Sequence, residues 1–471
     1  MQIPFDNSYA KLPTQMFTVQ LPTPVKEPHI IATNTELATL MGIDPTSLAA
    51  PDAAKVFAGN HIPEGAAPLA QVYAGHQFGN WNPQLGDGRA VLLGEVIGTD
   101  GIRRDIQLKG SGPTPYSRRG DGRAWLGPVM REYLVSEAMH AMGVPTTRAL
   151  AAVTTGEPVY REEILPGAVI TRVAQSHIRV GTFQFFASRG DMAALQALTD
   201  HVIARHYPDA TGPADLLDLV IERYATLIAQ WMGLGFIHGV MNTDNVSIAG
   251  ETIDYGPCAF MDAFHPDTVF SAIDQYGRYA YSNQPGIGAW NMAQFATALI
   301  PLMPDRDKAI TDFTAAVHRF PEHYEVAWLN VFGRKLGLAD ADEADRTLIT
   351  DLLALMTKDG ADFTNVFAQL STDTARDQFI DRDGFDAWAA KWDARKSARA
   401  ATFMAQANPK VIPRNHRVEE AIAAGRDGNM DPFHALLAAV TRPYAALTDA
   451  TAHFARTPTR DERVTQTFCG T

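Results

Sequence analysis

The hydrophobic pattern of this chain changes once along its length. Residues 71–180 carry short apolar runs, among them 89–95 and 105–109, which predict strands that pair as neighbours. One helix interrupts them, from Pro128 to about residue 142. Later apolar residues recur at steps of three and four, as in 216–232, which is typical of amphipathic helices. The pattern predicts an α+β protein with a β-rich lobe followed by a helical lobe.

This pattern divides the chain into four segments. Residues 1–70 are rich in proline and alanine and predict an irregular N-terminal extension with a few helical turns. Residues 71–185 form the predicted β-rich lobe, and residues 186–460 form the helical lobe together with a helical extension. Residues 461–471 are predicted to be a flexible tail. Within the helical lobe, a short strand at 246–249 and another leading into Asp254 are predicted to form a hairpin.

Composition narrows the class of protein. The chain has 471 residues, 46% of them hydrophobic, which excludes intrinsic disorder and allows a large core. Its formal net charge of −13 argues against a nucleic-acid partner, because phosphate contacts need a basic face. No apolar run reaches the roughly 18 residues of a membrane span, and the first residues do not resemble a signal peptide. The sequence therefore predicts a cytoplasmic protein without a membrane partner, and it favours a monomer without setting the oligomeric state.

A basic, glycine-rich segment reverses this charge locally. Residues 101–131 hold seven basic and two acidic residues. Glycines let backbone N–H groups approach an anion, and guanidinium groups grip phosphate oxygens in pairs. The segment is either a solvated basic loop or a polyphosphate site, and charge alone does not decide between them.

A glycine turn precedes the first predicted strand. The segment 84–89, Gln-Leu-Gly-Asp-Gly-Arg, is by itself equally compatible with an ordinary hairpin. Followed by a strand and then by Lys109 inside an apolar strand, it has the order of a kinase-type ATP lobe. The helix after Pro128 carries Glu132 and Glu137, and helix phase alone does not choose which one pairs with Lys109.

The most specific motif lies after the 216–232 helix. It runs His-Gly-Val-Met-Asn-Thr-Asp-Asn over residues 238–245 and continues to an Asp-Tyr-Gly triplet that begins at Asp254. Asn245 and Asp254 would supply oxygen ligands to Mg²⁺ from the two sides of a hairpin, and Asp244 would act as general base. The structural alternative is that Asp244 and Asn245 form an Asx turn while Asp254 caps a helix.

Taken together, these residues resemble the selenoprotein O family of kinase-fold protein adenylyltransferases. The resemblance covers most of the chain and rests on long, unusual stretches, which are residues 73–79, 84–89, 107–118, 120–123, 238–245, 254–256 and 408–410. It implies a protein-kinase-like bilobal fold with family-specific extensions. It also implies transfer of AMP from ATP to Ser, Thr or Tyr hydroxyls of proteins, with release of pyrophosphate.

The resemblance also implies a nucleotide that is inverted relative to its position in kinases. The third residue of the catalytic loop is Val240, where a kinase has aspartate. The resemblance implies that the γ-phosphate is held deep in the site and that the α-phosphate faces the acceptor. A surplus of arginines fits this arrangement, because the leaving pyrophosphate gains negative charge.

The resemblance also assigns roles residue by residue. It implies that Lys109 pairs with Glu132 and contacts the phosphates, that Asp244 is the base, and that Mg²⁺ or Mn²⁺ is the metal ion. The remaining nucleotide and metal residues that it implies are the covering loop of Gly86, Gly88 and Arg89, the lining residues Asp121 and Gly122, the terminal-phosphate ligands Arg172 and Arg179, and the metal ligands Asn245 and Asp254. The choice of Arg172 and Arg179 among the arginines rests on resemblance alone.

Three other functions share most of these motifs. A conventional phosphotransferase would use the same lysine, metal ligands and base. A non-catalytic nucleotide-binding scaffold is favoured by Val240 but not by the complete set of metal ligands. Transfer of UMP instead of AMP is a variant that these residues do not exclude.

The chain contains two cysteines, too few for a disulfide framework or a cysteine zinc site. Cys258 follows the Asp-Tyr-Gly triplet, and Cys469 lies where members of the resembled family have selenocysteine or cysteine. They are either two unrelated thiols or the partners of a reversible disulfide that makes activity redox-dependent.

Overall fold

An antiparallel sheet forms the β-rich lobe of this computed structural model, which describes residues 1–372 and 374–468. In the described part of the chain the main sheet has eight strands in the order β1-β3-β6-β7-β10-β9-β2, with β8 paired to β10. The strands are β1 (Phe17–Val19), β2 (His29–Thr33), β3 (Leu69–Gln71), β4 (Gly75–Gln77), β5 (Asn80–Asn82), β6 (Ala90–Ile97), β7 (Arg103–Lys109), β8 (Ala124–Trp125), β9 (Arg148–Tyr160), β10 (Ile164–Ala174), β11 (Phe236–Ile237) and β12 (Ala259–Phe260).

Helices make up most of the second half. They are α1 (Thr35–Leu40), α2 (Ala53–Ala58), α3 (Leu126–Ala141), α4 (Val180–Arg189), α5 (Met192–His206), α6 (Pro213–Gly233), α7 (Gln284–Leu299), α8 (Arg306–His318), α9 (Phe320–Lys335), α10 (Arg346–Asp359), α11 (Phe363–Gln369), α12 (Arg382–Arg395), α13 (Ala400–Ala407), α14 (Asn415–Arg426), α15 (Asp431–Val440) and α16 (Ala452–Ala455). The prediction of a β-rich lobe followed by a helical lobe is confirmed. No helix among the described residues is long and apolar enough to cross a membrane.

Two local predictions need correction. The segment 1–70 is not only irregular and helical, because it contributes β1 and β2 to the main sheet. The hairpin predicted within 246–254 does not form. Ser247 instead makes a single bridge to Arg179, and Thr252 makes one to Thr146, so each side of the turn is held by the β-rich lobe.

Alternation along the central strands decides which side chains reach the site. In β7, Ile106 and Leu108 pack in the smaller core cluster beneath α1 and α2. Side chains of a strand point alternately to opposite faces, so Gln107 and Lys109 lie on the other face. The β7–β10 register pairs Gln107 with Arg172, which places Arg172 on that same face.

Helix α3 covers this second face near β9 and β10 and is buried along almost its whole length, since α14 and α15 pack on its outer side. It begins at Leu126, two residues before the predicted Pro128. In the helical lobe, α6 spans Pro213–Gly233, as its apolar periodicity predicts, and packs against α7 and α9.

Candidate functional site

A cavity of about 430 Å³ lies between the glycine turn before β6, the basic loop after β7 and the segments that follow β11. Eleven residues singled out from the sequence contribute to its wall, namely Gly86, Gly88, Arg89, Lys109, Asp121, Gly122, Arg172, Arg179, Asp244, Asn245 and Asp254. Glu132 lies behind this wall, bonded to Lys109 and Arg172. The fold thus brings together groups that are spread over 169 positions of the chain, from 86 to 254.

Lys109 lies between two carboxylates. Its Nζ donates to Glu132 Oε2 at 2.7 Å and to Asp254 Oδ1 at 2.7 Å. Glu137, the other carboxylate that helix phase allowed, accepts instead from Arg148 and from the backbone N–H of Ala149. The geometry therefore pairs Lys109 with Glu132.

Arg172 completes this arrangement from β10. Its Nε donates to Glu132 Oε1 at 2.7 Å, and its Nη2 donates to Asp254 Oδ1 at 2.7 Å. The side chain is only 2% exposed, so its guanidinium is held in one orientation by two carboxylates. Burial raises the pKa of Asp254, but the positive charges of Arg172, Lys109 and Arg179 outweigh it and hold that pKa well below its usual range.

Arg179 immediately precedes helix α4 and also lines the cavity. Its guanidinium lies 4.3 Å from the centre of the Tyr73 ring, 3.4 Å from Asp87 Oδ1 and 3.8 Å from Asp254 Oδ2. Asp87 also accepts from the side chain of Gln107. We call these buried ionic groups the inner charge cluster; its members are Asp87, Lys109, Glu132, Arg172, Arg179 and Asp254.

The glycine turn and the basic loop pack as one unit above this cluster. Gly86 has φ +123°, and a Cβ there would lie 2.6 Å from the Tyr116 ring, so a side chain is excluded. Thr114 Oγ1 donates to the carbonyl of Asp87 at 2.7 Å, and Ser117 Oγ donates to the carbonyl of Gly88. The turn is therefore held in place by neutral groups, while Arg89 remains at the cavity wall.

The rim of the cavity is formed by the far end of the basic loop. Gly122 has φ +64°, and a Cβ there would lie 2.1 Å from the carbonyl oxygen of Gly112. Asp121 accepts two bonds from Arg161, at 2.8 and 3.0 Å, and one from the backbone of Arg123. Arg118, also on the wall, has φ +49°, a strained conformation for a residue with a side chain.

The short 3₁₀ segment Thr243–Asn245 faces the inner charge cluster from the helical lobe. Asp244 Oδ2 accepts from Gln77 Nε2 at 3.0 Å, whereas Asp244 Oδ1 is buried without a hydrogen-bond partner among the described residues. Burial raises the pKa of Asp244 to about 6. Asn245 donates through Nδ2 to the carbonyl of Val240 at 2.9 Å, which leaves its side-chain oxygen for the cavity.

These donors suit a divalent cation that arrives with phosphate. Within residues 1–372 and 374–468 there is no group of three or more His, Cys, Asp or Glu side chains that would hold a metal ion alone. Asp254 offers a carboxylate and Asn245 an amide oxygen at the wall of the same cavity. Mg²⁺ is commonly held by one or two protein oxygens with phosphate oxygens completing its shell, so the residues present fit such an ion.

The structure describes one of the two cysteines. Cys258 is buried just before β12, and its carbonyl accepts from Arg131 Nη1 at 3.3 Å. Thr467, in the tail, donates through Oγ1 to the carbonyl of Pro257, next to Cys258 in sequence. Cys469 lies outside the described residues.

Several residues of the site escaped sequence reasoning. Asp87 lies in a Gly-Asp-Gly turn, and because aspartate is common in ordinary hairpin turns, its sequence context did not indicate a further role. Tyr73 and Gln77 lie in an unusual aromatic and glycine-rich stretch, and that unusual composition was the only signal for them. Arg161 comes from the β9–β10 connection and carries no local pattern.

Comparisons with known proteins find relatives that span nearly the whole chain. The family model described as protein adenylyltransferase SelO matches residues 1–441. A protein nucleotidyltransferase YdiU of Roseobacter denitrificans is 62% identical over 470 residues, which cover 99% of this chain and 99% of that protein. The protein of that name from Ruegeria pomeroyi is 60% identical over 471 residues, covering 100% and 99% of the two chains. One from Methylorubrum populi is 55% identical over 494 residues, with 99% of each chain covered.

Both the family model and these relatives extend over nearly the whole chain, so the likeness is not confined to one lobe. The family predicted from the sequence motifs is confirmed. The prediction that the protein is a nucleotidyltransferase enzyme is confirmed as well. The chain belongs to the SelO family of protein adenylyltransferases.

Proposed function

We propose that this enzyme transfers AMP from ATP to Ser, Thr or Tyr hydroxyls of other proteins and releases pyrophosphate. The nucleotide lies between two kinase-like lobes, inverted so that its γ-phosphate is deepest. The observation that carries the proposal is the position of Arg172 and Arg179, two buried guanidiniums on the inner wall beside Lys109. A deep wall of three cations suits the phosphates that leave as pyrophosphate.

The inner charge cluster is preorganised for this task. Arg172 is oriented by Glu132 and Asp254 before any ligand binds, and Arg179 is oriented by Asp87 and the Tyr73 ring. Groups fixed in this way need little reorganisation when charge develops on the bridging oxygen as the bond between the α- and β-phosphates breaks. The cations therefore stabilise the transition state more than the bound substrate.

Asn245 and Asp254 would hold Mg²⁺ or Mn²⁺ together with phosphate oxygens. When bound, such an ion would supply positive charge that neutralises the phosphates. Asp254 is suited to this role because neighbouring cations keep its pKa low, so its carboxylate is ionised at neutral pH.

Asp244 would accept the proton of the attacking hydroxyl. A pKa of about 6 leaves the group ionised and basic near neutral pH. As the hydroxyl oxygen bonds to the α-phosphorus, the bond to the β-phosphate oxygen breaks and pyrophosphate leaves. The product is a phosphodiester between AMP and the acceptor side chain.

The position of the label transferred from ATP tests this reaction. The full-length enzyme is incubated with protein acceptors from a cell lysate, Mg²⁺ or Mn²⁺, and ATP labelled at the α- or the γ-phosphate. We expect label in protein from α-labelled ATP and none from γ-labelled ATP. The reverse result would establish a phosphotransferase, and binding of ATP without transfer of either label would establish a scaffold. A higher rate with α-labelled UTP would establish UMP transfer instead.

We further propose that a disulfide between Cys258 and Cys469 regulates the enzyme. The bond of Thr467 to the carbonyl of Pro257, together with its pairing to Ser271, supports this because it holds the tail beside the segment that carries Cys258. Glutathione disulfide would oxidise the two thiols and be reduced to glutathione in the exchange. Activity in reduced and in oxidised glutathione should differ in the wild-type enzyme but not in Cys469→Ala, and a difference that persists would exclude this disulfide.

A further inference from the structure

Residues 76–78 hold the segment that carries Asp244 through three successive hydrogen bonds. The backbone N–H of His76 donates to Thr243 Oγ1 at 2.7 Å, and that of Phe78 donates to Asn242 Oδ1 at 3.0 Å. Between them, the side chain of Gln77 donates to Asp244 Oδ2 at 3.0 Å. Each of these three residues therefore holds a different residue of the segment 242–244.

A second layer of hydrogen bonds fixes this contact from outside the cavity. Gln184, on α4, accepts from Thr243 Oγ1 at 2.7 Å, and its Nε2 lies 3.0 Å from His76 Nδ1. Tyr279 donates to Asn242 Oδ1 at 2.6 Å, so the same amide oxygen bonds both Phe78 and Tyr279. The backbone on both sides of Gln77 is thus anchored independently of Gln77 itself.

Among the described residues, Gln77 is the one whose side chain donates a hydrogen bond to the Asp244 carboxylate. It binds one carboxylate oxygen and leaves the other, Oδ1, buried and unpartnered. A carboxylate held at one oxygen cannot rotate freely about its Cβ–Cγ bond, so the position of the second oxygen is determined as well.

We propose that Gln77 is a positioning residue for AMP transfer, whose side-chain amide fixes the orientation of the Asp244 carboxylate for its reaction with the acceptor hydroxyl. The proposal rests on the proposed function, because it acts through Asp244 as the base. Gln77 need not touch the phosphates, because the proposed function assigns them to Lys109, Arg172 and Arg179. Its loss should therefore slow the reaction without weakening the binding of ATP.

The substitution Gln77→Leu tests the proposal, because leucine keeps most of the volume but offers no donor. The rate of α-label transfer to lysate proteins is measured as a function of ATP concentration in the full-length enzyme. We expect the maximal rate to fall about tenfold or more, the effect of losing one hydrogen bond to a charged group. The ATP concentration for half-maximal rate should change less than about twofold, because Gln77→Leu leaves the residues proposed to bind ATP unchanged.

Asn80→Leu is the matched control, since Asn80 is exposed at the tip of the same hairpin and does not line the cavity. We expect wild-type rates from it. If Gln77→Leu fails to fold, Gln77→Glu replaces it. Glutamate keeps the size and polarity of the side chain but presents a second carboxylate to Asp244, so a similar loss of rate is expected.

Combination with Asp244→Asn separates positioning from a general structural role. If Gln77 acts through Asp244, adding Gln77→Leu to Asp244→Asn should change the residual rate less than about twofold. An unchanged maximal rate in Gln77→Leu, or a loss that comes entirely from weaker ATP binding, would overturn the inference alone. A wild-type enzyme that transfers no α-label would overturn the proposed function and this inference with it.

Discussion

Two buried clusters of charge in this protein use the same kinds of side chain in different proportions. The inner charge cluster joins three cations to three carboxylates at the cavity wall. The second, which we call the Arg414 cluster, joins Arg414 to Asp262 and Asp362 where α11 and α14 begin. One cation there serves two carboxylates.

The ratio of charges changes how the carboxylates titrate. Asp254 lies beside three cations, and its pKa falls well below the usual range despite burial. Asp262 shares one cation with a second carboxylate, and burial raises its pKa above the usual value. Asp254 is therefore ionised at neutral pH, whereas Asp262 is costly to ionise.

The two clusters also differ in whether their cations reach a cavity. Arg414 is completely buried and makes two bonds to Asp362, at 2.8 and 3.0 Å, which clamp the start of α11. In the inner charge cluster, the side chain of Asp254 is 24% exposed and lies on the cavity wall. Asp262 is exposed to the same 24% and lines another cavity with Asp362, but Arg414 does not reach that cavity. The inner charge cluster differs because it brings its three cations to a cavity wall.

The largest effect should separate the two clusters by activity. Asp254→Ala should lower α-label transfer about 10³-fold, because it removes a metal ligand and the partner of two buried cations. Asp262→Ala, which removes a similarly exposed carboxylate from the Arg414 cluster, should leave the rate per folded molecule near the wild-type value. Equal losses in the two variants would show that the clusters are not functionally distinct.

Removal of Arg414, the cation that Asp262 and Asp362 share, should affect stability and not ATP binding. Arg414→Met leaves two carboxylates without a partner and should lower the free energy of unfolding by about 3–5 kcal/mol. Urea denaturation measures this loss. The ATP concentration for half-maximal transfer should stay unchanged in the folded fraction, and a parallel weakening of ATP binding would contradict the division of roles.

The two glutamates of α3 give a smaller and sharper contrast. Glu132→Gln should lower the transfer rate about tenfold, because Lys109 and Arg172 lose a charged acceptor. Glu137→Gln weakens the pair with Arg148 outside the cavity, so it should lower the melting temperature with little effect on transfer. A larger catalytic loss from Glu137→Gln would show that the ion pair with Glu132 is not the functional one.

The smallest effect concerns pH. Because the pKa of Asp262 is raised on folding, its ionised form costs stability above the folded pKa, and the cost disappears as the pH falls through that value. The stability of Asp262→Asn relative to the wild type should therefore rise as the pH increases from about 4 to about 7. Thermal unfolding at both pH values measures the difference, and a gain that is larger at pH 4 would refute the assignment.

Local pattern was sufficient for part of the site. Lys109 lies in an apolar strand that alternation identifies, and Asp244, Asn245 and Asp254 lie close enough in sequence for their spacing to indicate a shared site. The structure places all four at one cavity. Their proposed roles as phosphate ligand, base and metal ligands stay predictions until the variants are measured.

Local sequence pattern could not predict the contacts between distant segments of the chain. Gln77 and Asp244 are 167 residues apart, and Arg179 and Asp87 are 92 apart. Such pairs depend on strand register and on how α4 packs against the hairpin of β4 and β5. The bridges of Ser247 and Thr252 to the β-rich lobe, in place of the predicted hairpin, have the same origin.

The sequence by itself determined the two-lobe order, the family and the chemical types at the cavity, because periodicity and short motifs are local properties. Tertiary structure decided which of two glutamates meets Lys109, which residue holds Asp244, and which charged cluster brings its cations to a cavity. Glu132 and Glu137 lie on one helix with the same chemistry, and only the strands packed against each of them distinguish the two. Local pattern sets the face on which a side chain lies, but the partner on that face is set by long-range packing.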